Sequence, residues 1–411
     1  MTARTALIVA LLISVVLLFC CEPEPNGQAE SDVVILFSLD EQAAFFERPF
    51  PLEFERDPDG TIALWKFPNP KRKPIIQRYI DAAEPLPDFG LNAGIFFPAT
   101  EEIDGDSLPT LAESLMDDAS AFVVNIDPSS PRYGERVPIL CYVRQRSGDF
   151  TKRGLITLLP MPGYPLAPNA LYAAVLTDGI RDKKGLVPEP HPDFAALRDG
   201  EERTDPPFVR AQAAFEPLWR YLDEIGFPRE RVLCATVFRT QDPWKEMLAI
   251  RDYVYSHPPS YVAGSLHPVE DYPDYCFLEG RFEIPIFQRG NPPYLFEGGW
   301  IEFGESGAPV VDHYERLRFS LAIPKTRMPG DGFPILIHSH GSGGDYRTLI
   351  DRGPRGSPAG HGLAWYLAKV GIASASMDAP HHGERDPFFI RSPDLESLFF
   401  FNALNPPAMR D

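Results

Sequence analysis

Two short runs gather most of the chain's chemically useful groups: "HSHGSGGD" (338–345) and "DAPHHGERD" (378–386). With His361 between them they account for five of the nine histidines. A glycine turn at the end of a strand is suited to acyl transfer, because closely approaching backbone N–H groups can stabilise the oxygen that turns negative in the tetrahedral intermediate. A phosphate cradle is the competing use of such a turn. No G-x-x-x-x-G-K-[ST] or G-x-G-x-x-G pattern is present, so nucleotide binding is not expected. His338, His340, Asp378, His381 and His382 have the composition of a metal-dependent hydrolase site. The compact H-x-H-x-D-H spacing is absent, since Asp345 follows His340 by five residues, and no metal is expected. The plain alternative for 378–386 is a turn whose His and Asp side chains hydrogen-bond locally.

These runs need strands to bring them together. "FPILIHS" (333–339) and "IASASMD" (372–378) read as strands buried on both faces, the first through its continuous apolar run. Between them Ser357-Pro358 can open a helix through about 370, with Leu363, Leu367 and Val370 as its apolar stripe and Gly371 as its stop. Strand, turn, helix and strand make a parallel βαβ unit, which binds ligands beyond the carboxyl ends of its strands. Upstream, 281–287, 299–303 and 315–324 alternate as antiparallel strands.

"HGSGG" with the helix, the strand and "DAPHHGER" that follow resembles the α/β-hydrolase superfamily, in its lipase and esterase branch. "FEIPIFQRGNPPYLFEGGWIEF" (282–303), taken with the N-terminal half, resembles exported bacterial lipases that carry an Ig-like domain. The resemblance implies a backbone oxyanion donor at Gly341 or Ser342, with His340 shaping the turn and Asp378 and His382 lining the pocket. It also implies an ester or lipid substrate and no cofactor. The nucleophile does not follow. G-x-S-x-G is absent, and the nearest match, "GESGA" (304–308), precedes the glycine turn and lies between antiparallel strands. Ser342 sits within the turn itself. The expectation is therefore the N-terminal part of a serine hydrolase, inactive as it stands, with the apolar helix of 392–411 (Leu395, Leu398, Phe399, Phe401) left without an element to pack on.

The first half reads as β-rich, with strands at 120–126, 137–143, 154–160 and 171–177. "PLAPNALYAAVLTDGIRDKKG" (165–185) resembles the closing strand and G-x-x-D-x-x-G turn of bacterial Ig-like domains, which implies an antiparallel sandwich. Helices follow at 208–226 and 242–256, the second opened by Asp242 and Pro243, with a strand at 231–238 between them. The fold class expected is mixed: an Ig-like antiparallel β-sandwich, then part of an α/β-hydrolase sheet.

Arg4 precedes an apolar run, Ala6 to Phe19, too short to span a bilayer and apt for a signal peptide. Cys20-Cys21 directly after it resembles a bacterial lipoprotein signal, with Cys21 lipidated. This implies an exported protein, held to the envelope by a lipid anchor or secreted; the plain alternative is an ordinary cleaved signal or an uncleaved anchor. The expected organisation is a signal at 1–21, an acidic tether at 22–46, a β-rich domain with linking helices at 47–258 and the hydrolase-like part at 259–411. Cys141, Cys234 and Cys276 allow at most one disulfide, and the first two alternate with apolar neighbours as small core residues. A net charge of −19 excludes binding along a phosphate backbone. The 45 prolines, about twice the usual share of roughly 5%, favour short strands and rigid loops. A second functional reading remains: a non-catalytic envelope or adhesion protein that binds through its Ig-like domain.

Overall fold

The computed structural model describes residues 30–56, 60–387 and 393–410. The signal at 1–21, with Cys21, and the first part of the tether lie outside the described residues. The chain is β-rich, mixed in class and divided into two compact units: Met1–Lys71 with Leu86–Gln241, and Arg72–Pro85 with Asp242–Asp411. The helix α1 (Pro74–Ala83) thus belongs to unit 2. The division falls at 241/242, ahead of the 258/259 boundary read from the sequence.

Unit 1 holds β1 (Val34–Ile35), β2 (Ile95–Phe97), β3 (Ala121–Asn125), β4 (Arg136–Val137), β5 (Ile139–Val143), β6 (Ile156–Pro160), β7 (Leu171–Thr177), β8 (Glu189–Pro190) and β9 (Val232–Arg239). They form an antiparallel sheet β4-β3-β7-β9, an antiparallel sheet β2-β6-β5 and a short parallel pair β1-β8. Every residue of β3 and β7 is buried, so this sheet is covered on both faces and its strands read as unbroken apolar runs. The helices α2 (Pro192–Arg198) and α3 (Pro206–Glu224) supply Phe194, Phe215 and Trp219 to an aromatic core. Phe37 joins it edge-on, with centroids 5.1 Å from Phe194 and 5.7 Å from Phe215. Residues 33–46, read from their acidic surroundings as tether, are therefore partly core. Val33, Ile35, Phe37 and Leu39 alternate inward as a strand-like segment, and polar flanking sequence masked that period.

The 178–186 turn is organised by Asp182. Its Oδ1 accepts the N–H groups of Lys184 (2.8 Å) and Leu186 (2.9 Å), and its Oδ2 accepts the Ser31 hydroxyl (2.6 Å). Burial raises the carboxyl's proton affinity, but these hydrogen bonds outweigh it and hold the pKa below the ordinary range.

Unit 2 is one sheet with α4 (Trp244–Ser256) before it. Its strands are β10 (Ser260–Tyr261), β11 (His267–Asp271), β12 (Tyr275–Ile286), β13 (His313–Pro324), β14 (Ile335–His338) and β15 (Ala373–Met377), in the order β10-β12-β13-β15-β14, with β11 also on β12. β12 and β13 pair antiparallel without a register shift from Tyr275↔Pro324 to Ile286↔His313. β15 is antiparallel to β13 and parallel to β14. Residues 299–303 make only isolated bridges, Gln288↔Ile301 and Phe303↔Pro309, and are not a strand.

Between β14 and β15 lie α5 (Thr348–Asp351) and α6 (Leu363–Lys369). Two expectations fail here. β14 is the edge of the sheet, with Ile335 54% and Ile337 69% exposed, so it is not buried on both faces. Nor is Leu363/Leu367/Val370 the inner stripe of the helix. Ala364 and Ala368 face the core with Tyr275, Phe277, Ala322, Leu349 and Ile350, while Val370 is exposed. Small side chains let the helix lie close to the sheet, and hydrophobicity alone pointed to the wrong face. The final helix α7 (Pro393–Phe401) buries Phe399 and leaves Leu398 and Phe401 exposed. Contrary to expectation, the segment after it packs: the Asn402 and Asn405 amides donate to Tyr294 O (2.9 and 2.6 Å).

Two substitutions test this packing. Asp182→Ala removes three bonds from a buried turn and is expected to destabilise unit 1 by about 2–4 kcal/mol in urea unfolding. Ala364→Leu overfills the close helix–sheet contact and is expected to cost roughly 1–3 kcal/mol, whereas Val370→Asn stays within about 0.5 kcal/mol.

Candidate functional site

The parallel register His338↔Ser376 sets the ends of β14 and β15 side by side, so the loops that follow them meet. Two histidines join those loops reciprocally. His340 Nε2 accepts the Ala379 N–H at 3.0 Å, and His382 Nε2 accepts the Gly343 N–H at 3.3 Å. A nitrogen that accepts carries no proton, so each ring is the Nδ1–H tautomer. The Nδ1–H groups then donate to Gly341 O (3.0 Å) and Pro380 O (2.8 Å). All four ring nitrogens are bound to backbone. The rings lie 5.1 Å apart, and a Cβ on Gly344 would come within 2.8 Å of His340 Cβ. His340 therefore holds the turn, and Gly344 is glycine because the imidazole covers it.

Asp378 lies beneath the loops, 1% exposed. Its Oδ1 accepts the Tyr346 N–H (2.9 Å), and its Oδ2 accepts Arg318 (3.2 Å) and the Glu384 N–H (3.2 Å). Arg318 also pairs with Glu384 at 3.0 Å and stacks 3.7 Å above the Tyr346 ring. Arg281 pairs with Glu384 at 2.9 Å. Burial raises the Glu384 pKa, but the hydrogen bond from Arg281 and the charges of both arginines outweigh it and hold the carboxyl below its usual range. Glu384 lies in the 378–386 run, but no local motif marks Arg318, Arg281 or Tyr346 in the sequence. They meet only through sheet pairing. Neither Asp378 nor His382, itself 1% exposed, faces open space as a pocket wall must.

Gly341 and Ser342 are exposed, and among the described residues no protein acceptor takes their N–H groups. Among the described residues the Ser342 hydroxyl makes no hydrogen bond, and the His340 and His382 nitrogens are already bound. His338 and His381 each keep a buried Nδ1 without a hydrogen-bond partner. Burial, then the neighbouring His340, lowers the His338 pKa. His381 is buried in the left-handed region at φ +60, and burial, then Arg385 and His382, lowers its pKa to about 4. Among the described residues no three His, Cys, Asp or Glu side chains converge as a metal ligand set.

No family model matches the chain, and no curated protein matches it. Among solved structures it is similar to the N-terminal part of the bacterial S-layer protein SbsC, at 10% identity and TM-score 0.19, over 57% of this chain and 39% of that one. It is also similar to domains 1–6 of surface layer protein SbsC, at 11% identity and TM-score 0.18, over 57% of this chain and 22% of that one. The chain thus spans well under two thirds of either, and a likeness this weak transfers neither fold nor function. The structures named are surface-layer fragments and no family model matches, and the α/β-hydrolase and lipase resemblance drawn from "HGSGG" and "DAPHHGER" is withdrawn. The physical basis of the misreading is plain: glycine and histidine at these turns satisfy packing and backbone hydrogen bonds.

The low pKa of His381 gives unit 2 a pH dependence. A histidine in the unfolded chain titrates near 6.5, so between about 6.5 and 4 the unfolded state holds more protons and stability is lost as the pH is lowered. Loss on the order of 2 kcal/mol is expected across that window, complete below about pH 4. His381→Asn, which tolerates positive φ, is expected to flatten that portion of the profile in urea midpoints taken at pH 7, 5.5 and 4.

Proposed function

We propose that this chain is an exported, envelope-attached protein that acts by binding rather than by hydrolysis. The observation that carries the reading is the occupation of both nitrogens of His340 and of His382 by backbone groups. A serine becomes a nucleophile only when a nearby base can take its proton. The hydroxyl of the one serine in the glycine turn makes no hydrogen bond among the described residues, and the paired histidines serve instead to fasten two loops.

The leader supports export: Arg4, the apolar run to Phe19 and Cys21 are the order of a lipoprotein signal, and the acidic residues that follow suit a tether. In this reading Cys21 carries the lipid and the membrane is a partner through that anchor. Unit 1, with its two antiparallel sheets and the Asp182 turn, is read as an Ig-like sandwich of the kind that presents loops for binding. At a net charge of −19 the chain repels polyanions, so nucleic acid is not a partner.

Two measurements test the proposal. A fluorophosphonate probe is expected to leave the protein unlabelled, and labelling lost in Ser342→Ala would overturn the non-catalytic reading. Palmitate fed to expressing bacteria is expected to label the wild type and not Cys21→Ser, which leaves the membrane fraction. An unlabelled wild type found in the cytosol would overturn envelope attachment.

A further inference from the structure

Two cavities in unit 1 share one wall, and the wall is an exposed indole. Trp65 is 63% exposed at a turn closed by the Phe67 N–H on Leu64 O at 2.8 Å. It lines a cavity of about 740 Å³ with Arg48, Glu55 and Arg210 and a second of about 380 Å³ with Phe45 and Thr151, and the Lys66 ammonium lies over its ring, 4.7 Å from the centroid. Gln42 and Lys66 border both. Both volumes fall in the roughly 300–1,000 Å³ span of small-molecule sites.

The larger cavity has one polar wall group that is buried and fixed. Arg48, 4% exposed, is held by Glu55 and by Asp40 O. Arg210 is held by Glu41 at 2.8 Å, and Lys66 by Glu41 O. Arg48 and Arg210 are paired with carboxylates while Lys66 donates to a carbonyl, so the walls offer donors and acceptors beside the buried and oriented Arg48. Burial pushes the Glu55 carboxyl up against the pull of Arg48 and Lys66, as befits a carboxylate kept from water in a cleft. The smaller cavity is more apolar, with Phe45 and Phe46 packed edge to face at 5.0 Å.

A flat aromatic face beside fixed polar groups is the chemistry that recognises a sugar ring. The C–H face of a pyranose lies on the aromatic plane, and its hydroxyls exchange hydrogen bonds with amide, carboxylate and guanidinium groups. We propose that the paired cleft of unit 1 is a binding site for neutral oligosaccharides, with a sugar ring laid on the Trp65 face that Lys66 does not cover. The chain's net charge of −19 disfavours an acidic glycan. The inference rests on the binding-protein reading and supplies its ligand class.

Isothermal titration of the full chain with maltotetraose, cellotetraose and chitotetraose tests it. At least one is expected to bind with millimolar or tighter affinity, weakened at least tenfold by Trp65→Ala and less by Trp65→Phe, while tetragalacturonate does not bind. Because Trp65 is exposed, the variants are expected to keep the wild-type melting temperature, and Gln42→Ala gives a second test of the same wall. Absence of binding to all three neutral sugars, binding indifferent to Trp65→Ala, or preference for tetragalacturonate would each overturn the proposal. The fluorophosphonate and palmitate measurements are independent of it, so a failed titration beside a silent probe and a lipidated Cys21 removes the ligand class alone.

Discussion

A carboxylate removed from water must be surrounded by donors, and that requirement at Asp378 orders much of unit 2. The acid draws on three separate parts of the chain: Arg318 from β13, the Tyr346 N–H after β14 and the Glu384 N–H after β15. Those three can meet only if β13 and β15 are antiparallel neighbours and β15 runs parallel to β14. Gly383 follows from the same demand, since a Cβ there would stand 2.2 Å from Asp378 Oδ1. Such a pair adds little net stability over an apolar core, but removing one partner is costly, so it acts chiefly against other arrangements of these loops.

The histidines complete what the carboxylate begins. Asp378 fixes the bases of the loops, and the reciprocal bonds of His340 and His382 fix their tips. Neutral imidazole suits this task because it offers one donor and one acceptor on opposite sides of a rigid ring. The cost is that the rings are no longer free to accept a substrate proton. A cluster of histidines beside a glycine turn therefore has two physical explanations, and hydrogen-bond partners decide between them.

Elements with a strong local period were legible in the sequence. The runs that became β3, β5, β6, β7 and β9 were read within about two residues of their ends, as was α3, whose buried Phe208, Ala211, Phe215, Leu218 and Leu222 follow the helical repeat. Features set by distant partners were not. β14 carries the apolar run of an interior strand but lies at an edge, a property of sheet order. α6 turns its alanines inward because the sheet is close, a property of packing distance. Phe37 reads as part of a polar leader until Phe194 and Phe215 appear opposite it. In the candidate site Glu384 falls within a conspicuous run, but Arg318, which pairs with Asp378 from β13, carries no local signature.

The same reasoning separates Trp65 from the other exposed aromatic residues. An isolated exposed apolar side chain needs no functional cause, because much of any protein surface is apolar. Trp244 and Trp300 are exposed to a similar degree, at 59% and 50%. What distinguishes Trp65 is its surroundings: it lines two cavities, and the buried Arg48 of the larger one is held in place by Glu55. Fixed groups lose little entropy when a ligand arrives, so each hydrogen bond they form contributes more to affinity. At the loops after β14 and β15, preorganised polar groups have turned toward each other and are spent on the fold. Around Trp65 they border open volume, where a ligand can still use them.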